Sequence, residues 1–177
     1  MPKSPDIFID VHYQDALPIV AVLEANLDPE RVIVRRHPLA VKAFIPINFA
    51  IEATSLFLFE ELVLKPLLSP AIERLDWTKQ IAKMLHEMPP VNITVNINNA
   101  EFIDANLETA HEITANIWEI ITRVLQILRA DGRLEMVEKI RIASGQDGKF
   151  YIVCYLDGRP ALIVDLKSER VTAIRRQ

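Results

Sequence analysis

The first 131 residues of this 177-residue chain contain no glycine; its four glycines stand at 132, 145, 148 and 158. A Walker-type phosphate loop and a GxGxxG dinucleotide fingerprint both need glycine where the backbone turns tightly or closes on phosphate, so neither is present. Proline punctuates this part of the chain instead, at Pro29, Pro38, Pro46, Pro66 and Pro89-Pro90.

Between those marks the apolar pattern changes period. Ile7, Ile9 and Val11 alternate and predict a strand over 6–11. Asp15 is placed to cap a helix over 16–27, with Pro18 in its first turn, where a missing N–H costs little. Ala16, Ile19, Val20, Leu23 and Leu27 share one helical face, and Asp28-Pro29 stops the run. Arg31-Val32-Ile33-Val34-Arg35 predicts a second strand with a buried centre. Strand, helix and strand within about 30 residues make a βαβ unit with parallel pairing. A third extended piece is expected over 39–45, between Pro38 and Pro46.

Asn48 can cap a helix ending at Pro66, and Phe49, Ile51, Leu56, Phe57, Leu62 and their neighbours surround its circumference. A helix apolar all round is buried, centrally or between subunits. Ser69-Pro70 opens a further helix over 70–87. Residues 91–98 alternate strictly, with Val91, Ile93, Val95 and Ile97 facing a core and Asn92, Thr94, Asn96 and Asn98 facing away. A long helix is expected over 101–130, closed by Asp131-Gly132. On it Leu107, Ala110, Thr114, Ile117, Ile121, Val124 and Leu128 form a seam, widened by Ile113, Ile120 and Ile127, of the kind that pairs helices.

The last third is β-rich. Asp157-Gly158 between 149–156 and 159–166 is a hairpin signal that needs positive φ at both turn positions. With these as turn centres, Leu156 opposes Arg159 and Cys154 opposes Ala161. Both faces of the hairpin are then apolar, and both call for cover. Residues 171–175 and 138–143 add strands on either side, while 133–137 reads equally as helix or strand. The fold class is α+β: an N-terminal βαβ unit, central helices and a C-terminal antiparallel β-meander. A single domain over 1–177 is expected, because the meander needs the helices as cover. A charge shift from −7 (11 basic, 18 acidic residues, 1–132) to +3 (9 basic, 6 acidic, 133–177) marks a sub-boundary near 132. No 20–50-residue repeat is present.

Composition narrows the function classes. Half the residues are hydrophobic and a quarter charged, with mean hydropathy +0.16, too apolar for disorder and too charged for a membrane bundle. A net charge of −4 gives no strong nucleic-acid signal. One cysteine, Cys154, excludes an internal disulfide and a cysteine-based zinc cluster. The N-terminus has no signal-peptide pattern, and the most apolar stretch, 43–59, carries Glu52 and Pro46 and is too short for a transmembrane segment. A cytoplasmic location is expected, and the sequon at Asn92 is idle there.

The candidate site comes from topology. Parallel strands deliver ligand-binding residues at their C-terminal ends. There the first two strands place Asp10 and His12, and Arg35, Arg36 and His37. An imidazole pair with a carboxylate can move a proton or hold a divalent ion, and arginines suit phosphate or carboxylate. The bland reading is a solvated rim. Of the remaining features, Cys154 reads as a buried inert thiol, and His86 and His111 as surface residues among glutamates. Glu52 reads as a first-turn partner of the helix dipole or as a buried acid. Lys167, Arg170, Arg175 and Arg176 read as a solvated basic end, the 92–98 polar residues as a wet sheet face, and Trp77 and Trp118 as core anchors. No catalytic motif stands out, and nothing calls for a metal or other cofactor. The leading reading is therefore a non-enzymatic protein-interaction or regulatory domain acting as a homo-oligomer, with an unidentified protein partner. The alternative is a small enzyme or ligand- or metal-binding protein using Asp10, His12, Arg35 and His37. A membrane-associated module using 44–59 is a third.

Overall fold

The structure, a computed structural model, describes residues 3–39, 46–68, 90–108, 117–145 and 147–175. One nine-stranded sheet runs through it in the order β2-β1-β3-β4-β5-β6-β7-β8-β9. The strands are β1 (Ile7–Tyr13), β2 (Val32–Pro38), β3 (Ile47–Ala53), β4 (Val91–Ile97), β5 (Ala100–Leu107), β6 (Lys139–Ser144), β7 (Phe150–Leu156), β8 (Arg159–Asp165) and β9 (Arg170–Ala173). Strands β1/β2, β3/β4 and β5/β6 pair in parallel, and every other neighbouring pair is antiparallel. The class is α+β, with the N-terminal strand–helix–strand and C-terminal antiparallel series expected from the sequence.

The first unit follows its pattern closely. Ile7, Ile9 and Val11 are buried on one face of β1, and helix α1 (Leu17–Asn26) buries Ile19, Val20, Val22 and Leu23. Asp15 does not cap α1. The N-cap position is Ala16, with no side-chain bond to the first turn, which Pro18 enters. The centre of β2 is not buried either: β2 is an edge strand and Ile33 points to the open face.

Two expected helices are strands over part of their length. Ile47, Phe49, Ile51 and Ala53 alternate into the core as β3, paired with β1 on one side and β4 on the other. The helix begins only at α2 (Leu56–Phe59), where Ser55 Oγ accepts from Leu58 N–H. It continues through a π-helical turn (Glu60–Leu64) into α3 (Lys65–Leu68). The alternate apolar positions of a strand, continued by those of a helix, fill every direction when drawn as one helix. That is why 48–65 looks apolar all round. Likewise Ile103, Ala105 and Leu107 are the buried positions of β5, which follows a two-residue turn at Asn98 (φ 52°) and Asn99 (φ 63°). Asparagine tolerates this left-handed backbone better than most residues. Helix α4, described over Ile117–Ala130, buries Ile117, Ile121, Val124 and Leu128 in the chain's own core. It ends as expected at Gly132 (φ 75°), with the Gly132 and Arg133 N–H groups closing on the Arg129 and Leu128 carbonyls. The stretches 40–45, 69–89 and 109–116, and with them the extended piece over 39–45 (apart from its first residue) and the helix over 70–87, lie outside the described residues.

The meander forms with one shift of register. Asp157 (φ 51°) and Gly158 (φ 69°) make the turn, and Leu156 faces Arg159. An irregularity beside Tyr155 then sets Cys154 opposite Leu162 rather than Ala161. Leu162 and Val164 therefore join Ile152 and Cys154 on the buried face, and Ile163 and Tyr151 are exposed instead of covered. Residues 134–136 form a short 3-10 turn.

The described helices share one core with one face of the sheet, where Trp118 of α4 meets Phe49 of β3 edge-on at 5.9 Å. Among the described residues no helix covers the other face, here called the open face. Register places Arg35, Asp10, Ala50, Thr94, Asp104, Arg141, Val153, Ile163 and Thr172 in a single row across all nine strands. A parallel row runs His37, His12, Asn48, Asn92, Asn106, Ala143 and Tyr151.

Candidate functional site

The rim expected at the ends of β1 and β2 is assembled on the open face. Burial of Ile9 and Val11 forces Asp10 and His12 to the opposite side, since successive strand residues alternate. Parallel register sets Asp10 beside Arg35 and His12 beside His37. Asp10 accepts two bonds from Arg35, from Nε and Nη2, both 2.7 Å, and a third from His37 Nε2 at 2.7 Å. An ionised carboxylate only accepts, so His37 carries the proton on Nε2. The His12 and His37 rings stack at 4.4 Å with 12° between planes, and the Arg35 guanidinium lies 4.7 Å over the Phe8 ring.

Asp10 is the least exposed of the three, with 13% of its side chain accessible, while Arg35 and His37 are nearly half exposed. Burial alone would raise its pKa. The hydrogen bonds from Arg35 and His37, and their charges, outweigh that and hold its carboxyl below the ordinary value. The Asp10 bond in turn raises the Arg35 guanidinium. Arg36 does not join them: it alternates to the other side of β2, in register with the core-facing Val11.

Asn48 and Asn92 belong to this surface; Asn92 was expected on a wet sheet face, while Asn48, read as a helix cap, was not expected there. Asn48 follows His12 along the row, and Asn92 Nδ2 donates to Asn48 Oδ1 at 3.0 Å. The period-two spacing of Ile47, Phe49, Ile51 and Ala53 was the signal that could have placed Asn48 on a strand. Glu52 also lies on the open face, exposed, neither a helix-dipole partner nor a buried acid.

This arrangement limits the chemistry. Ring-nitrogen lone pairs lie in the ring plane, so two stacked, nearly parallel imidazoles do not converge on one ion. No three-residue cluster of His, Cys, Asp and Glu suited to a metal occurs among the described residues. No hydroxyl or thiol is bonded to either imidazole among the described residues, so a nucleophile–base pair is not assembled. Cys154 lies on the buried face of β7, where burial pushes its thiol up to about 12. Among the described residues, open clefts lie elsewhere, one of about 680 Å³ beside Leu56, Phe102 and Leu134, another of about 380 Å³ beside Arg123, Gln126 and Glu169. No helix among the described residues is long and apolar enough to cross a membrane. Trp118 is a core anchor, as expected, while His86, His111, Trp77 and Arg176 lie outside the described residues.

No protein-family model, no curated protein and no solved structure matches this chain.

Proposed function

We propose that the chain is a non-enzymatic protein-interaction domain that acts as a homo-oligomer in the cytoplasm and offers the open face of its sheet to a protein partner. The observation that carries this reading is the uninterrupted nine-strand row on that face. Its charges are matched across neighbouring strands, Asp10 with Arg35, Asp104 with Arg141 and Glu101 with Lys139. An approaching surface therefore meets amides, paired ions and, toward β8, Tyr151 and Ile163, which are 56% and 46% exposed. Mixed hydrogen-bonding groups with exposed aromatic and apolar side chains are the material of a protein interface. The test is affinity capture from cell extract with wild type and with Thr94→Arg and Ile163→Arg, both on the central row. A specific bound protein lost by both folded variants is the expected result; identical capture by all three would refute the use of this face.

A second reading takes the Asp10–Arg35–His37–His12 group as a ligand site, favoured by its convergence within hydrogen-bonding and stacking distance. Calorimetry with inorganic phosphate tests it. Binding weakened by both His12→Ala and His37→Ala supports the reading, and no heat with wild type sinks it.

A further inference from the structure

Three of the four glycines follow an aspartate: Asp131-Gly132, Asp147-Gly148 and Asp157-Gly158. An Asp-Gly step can isomerise without an enzyme. The glycine nitrogen attacks the aspartate Cγ, the new N–Cγ bond closes a five-membered imide, and the nitrogen's proton leaves with the carboxyl OH as water. Water then adds to either ring carbonyl. Opening at Cγ restores aspartate; opening at the main-chain carbonyl leaves isoaspartate, with the chain rerouted through Cβ. Glycine favours the step because it has no side chain to crowd the ring and leaves the backbone free to turn.

In the fold all three steps are exposed to water, and at each the attacking nitrogen is tied. Gly132 N–H donates to the Arg129 carbonyl at 3.1 Å, and Gly148 N–H to the Gly145 carbonyl at 3.0 Å. Those acceptors are main chain. Gly158 differs. With Asp157 it forms the tip of the β7–β8 hairpin, both at positive φ, and the ladder closes at Leu156 and Arg159, so its N–H has no strand partner. It donates instead to a side chain, Glu138 Oε2, at 2.9 Å. Glu138 is held beside the turn because it immediately precedes β6 and its own N–H donates to the Tyr155 carbonyl of β7 at 3.0 Å.

We propose that Asp157-Gly158 is a latent site of aspartyl isomerisation and that Glu138 holds it closed. Two effects act together. For the Gly158 nitrogen to reach Asp157 Cγ, the peptide plane between them has to rotate, and the bond to Glu138 pins that plane. The nitrogen must also shed its proton, and a carboxylate is far too weak a base to take it. Glu138 instead sets a negative charge beside the anion that has to form, which disfavours it. The product matters to the fold. Isoaspartate carries one more main-chain atom through a turn of two residues, which disturbs the Leu156–Arg159 pairing the turn closes. None of this depends on the interaction reading.

The experiment ages the folded full chain at neutral pH and physiological temperature and reads isoaspartate at each Asp-Gly step by peptide mapping with mass spectrometry. Circular dichroism checks folding. Glu138→Ala removes the acceptor at an exposed position, so the fold survives. It is expected to speed isoaspartate formation at Asp157 about three- to tenfold, the opening factor for one hydrogen bond. Glu138→Gln keeps an acceptor oxygen and stays closer to wild type. Asp131 and Asp147, tied by main-chain carbonyls, are internal controls and keep wild-type rates in both variants. An unchanged rate at Asp157 in folded Glu138→Ala overturns the proposal. So does an equal rise at all three steps, which assigns the effect to loosening of the whole fold.

Discussion

Replacing Asp10 with asparagine isolates what the rim contributes. The carboxylate accepts three bonds at 2.7 Å, two from Arg35 and one from His37, and is itself only 13% exposed. An amide offers one acceptor oxygen, and its NH2 group meets a guanidinium or an imidazole N–H that is also a donor. At least one bond is lost and one donor pair is set in opposition. A fully buried pair broken in this way costs about 3–5 kcal/mol, and an exposed one ~0.2–1. Here the acceptor is only partly buried, and Arg35 and His37 stay nearly half exposed and recover water. We therefore expect Asp10→Asn to cost about 1–2 kcal/mol near neutral pH, read as a lower urea midpoint at constant slope. The cost must also depend on pH. The folded pKa of Asp10 lies below its unfolded value, so its stabilisation is fully present above the unfolded value of about 3.9 and is lost as pH falls through the lower, folded one. Wild type and variant should converge in acid. A neutral-pH difference under about 0.3 kcal/mol, or a gap that does not narrow in acid, would refute the reasoning.

Two further outcomes follow from the fold. Cys154 should resist a thiol reagent in folded protein and react at once in denaturant, because its thiol is buried and raised to about 12; stoichiometric labelling without denaturant contradicts the placement of β7. Gly158→Ala should cost about 1 kcal/mol in thermal or urea unfolding through backbone strain alone, since φ is +69° and a Cβ there meets no atom within 4 Å; a stabilised variant would rule out the left-handed turn.

Residues whose own spacing specifies a strand or a turn were legible, and those whose state depends on distant partners were not. Ile7-Ile9-Val11, Val91-Ile93-Val95 and Asp157-Gly158 carry complete local signals. Residues 47–53 carry a period-two signal too, but they run directly into Leu56–Leu64 with only Thr54-Ser55 between. The combined apolar run outweighed the alternation until β1 and β4 were present to pair with it. Residues 101–107 were lost the same way, to a helix extended backward as far as an asparagine turn that contains no glycine. The register shift beside Tyr155 has no residue signature, so Ala161 and Ile163 rather than Leu162 and Val164 were set on the Cys154 face, and both faces were expected to be covered. The site was partly legible: parallel pairing of β1 and β2 brings Asp10, His12, Arg35 and His37 together. The hydrogen bonds that occupy Asp10 and the stacking of the histidines are side-chain geometry between β1 and β2 that spacing does not specify, and the asparagines beyond them depend on β3, which the sequence alone concealed.

The strand order also bears on how such a sheet comes into being. After β1 and β2 pair, β3 joins the free side of β1, and each later strand then joins the one before it, through to β9. No strand is ever inserted between two already joined. A chain emerging from its N-terminus can extend the sheet vectorially, always at the same growing edge, with β2 as the fixed opposite edge from the start. The growing edge of each partial sheet is unpaired and is a template for any strand nearby. The last of the described strands, β9, is only four residues long and opens on Arg170, with Arg175 just beyond it. A short, positively charged strand is a poor template, so this edge of the sheet is a weak acceptor of any further strand.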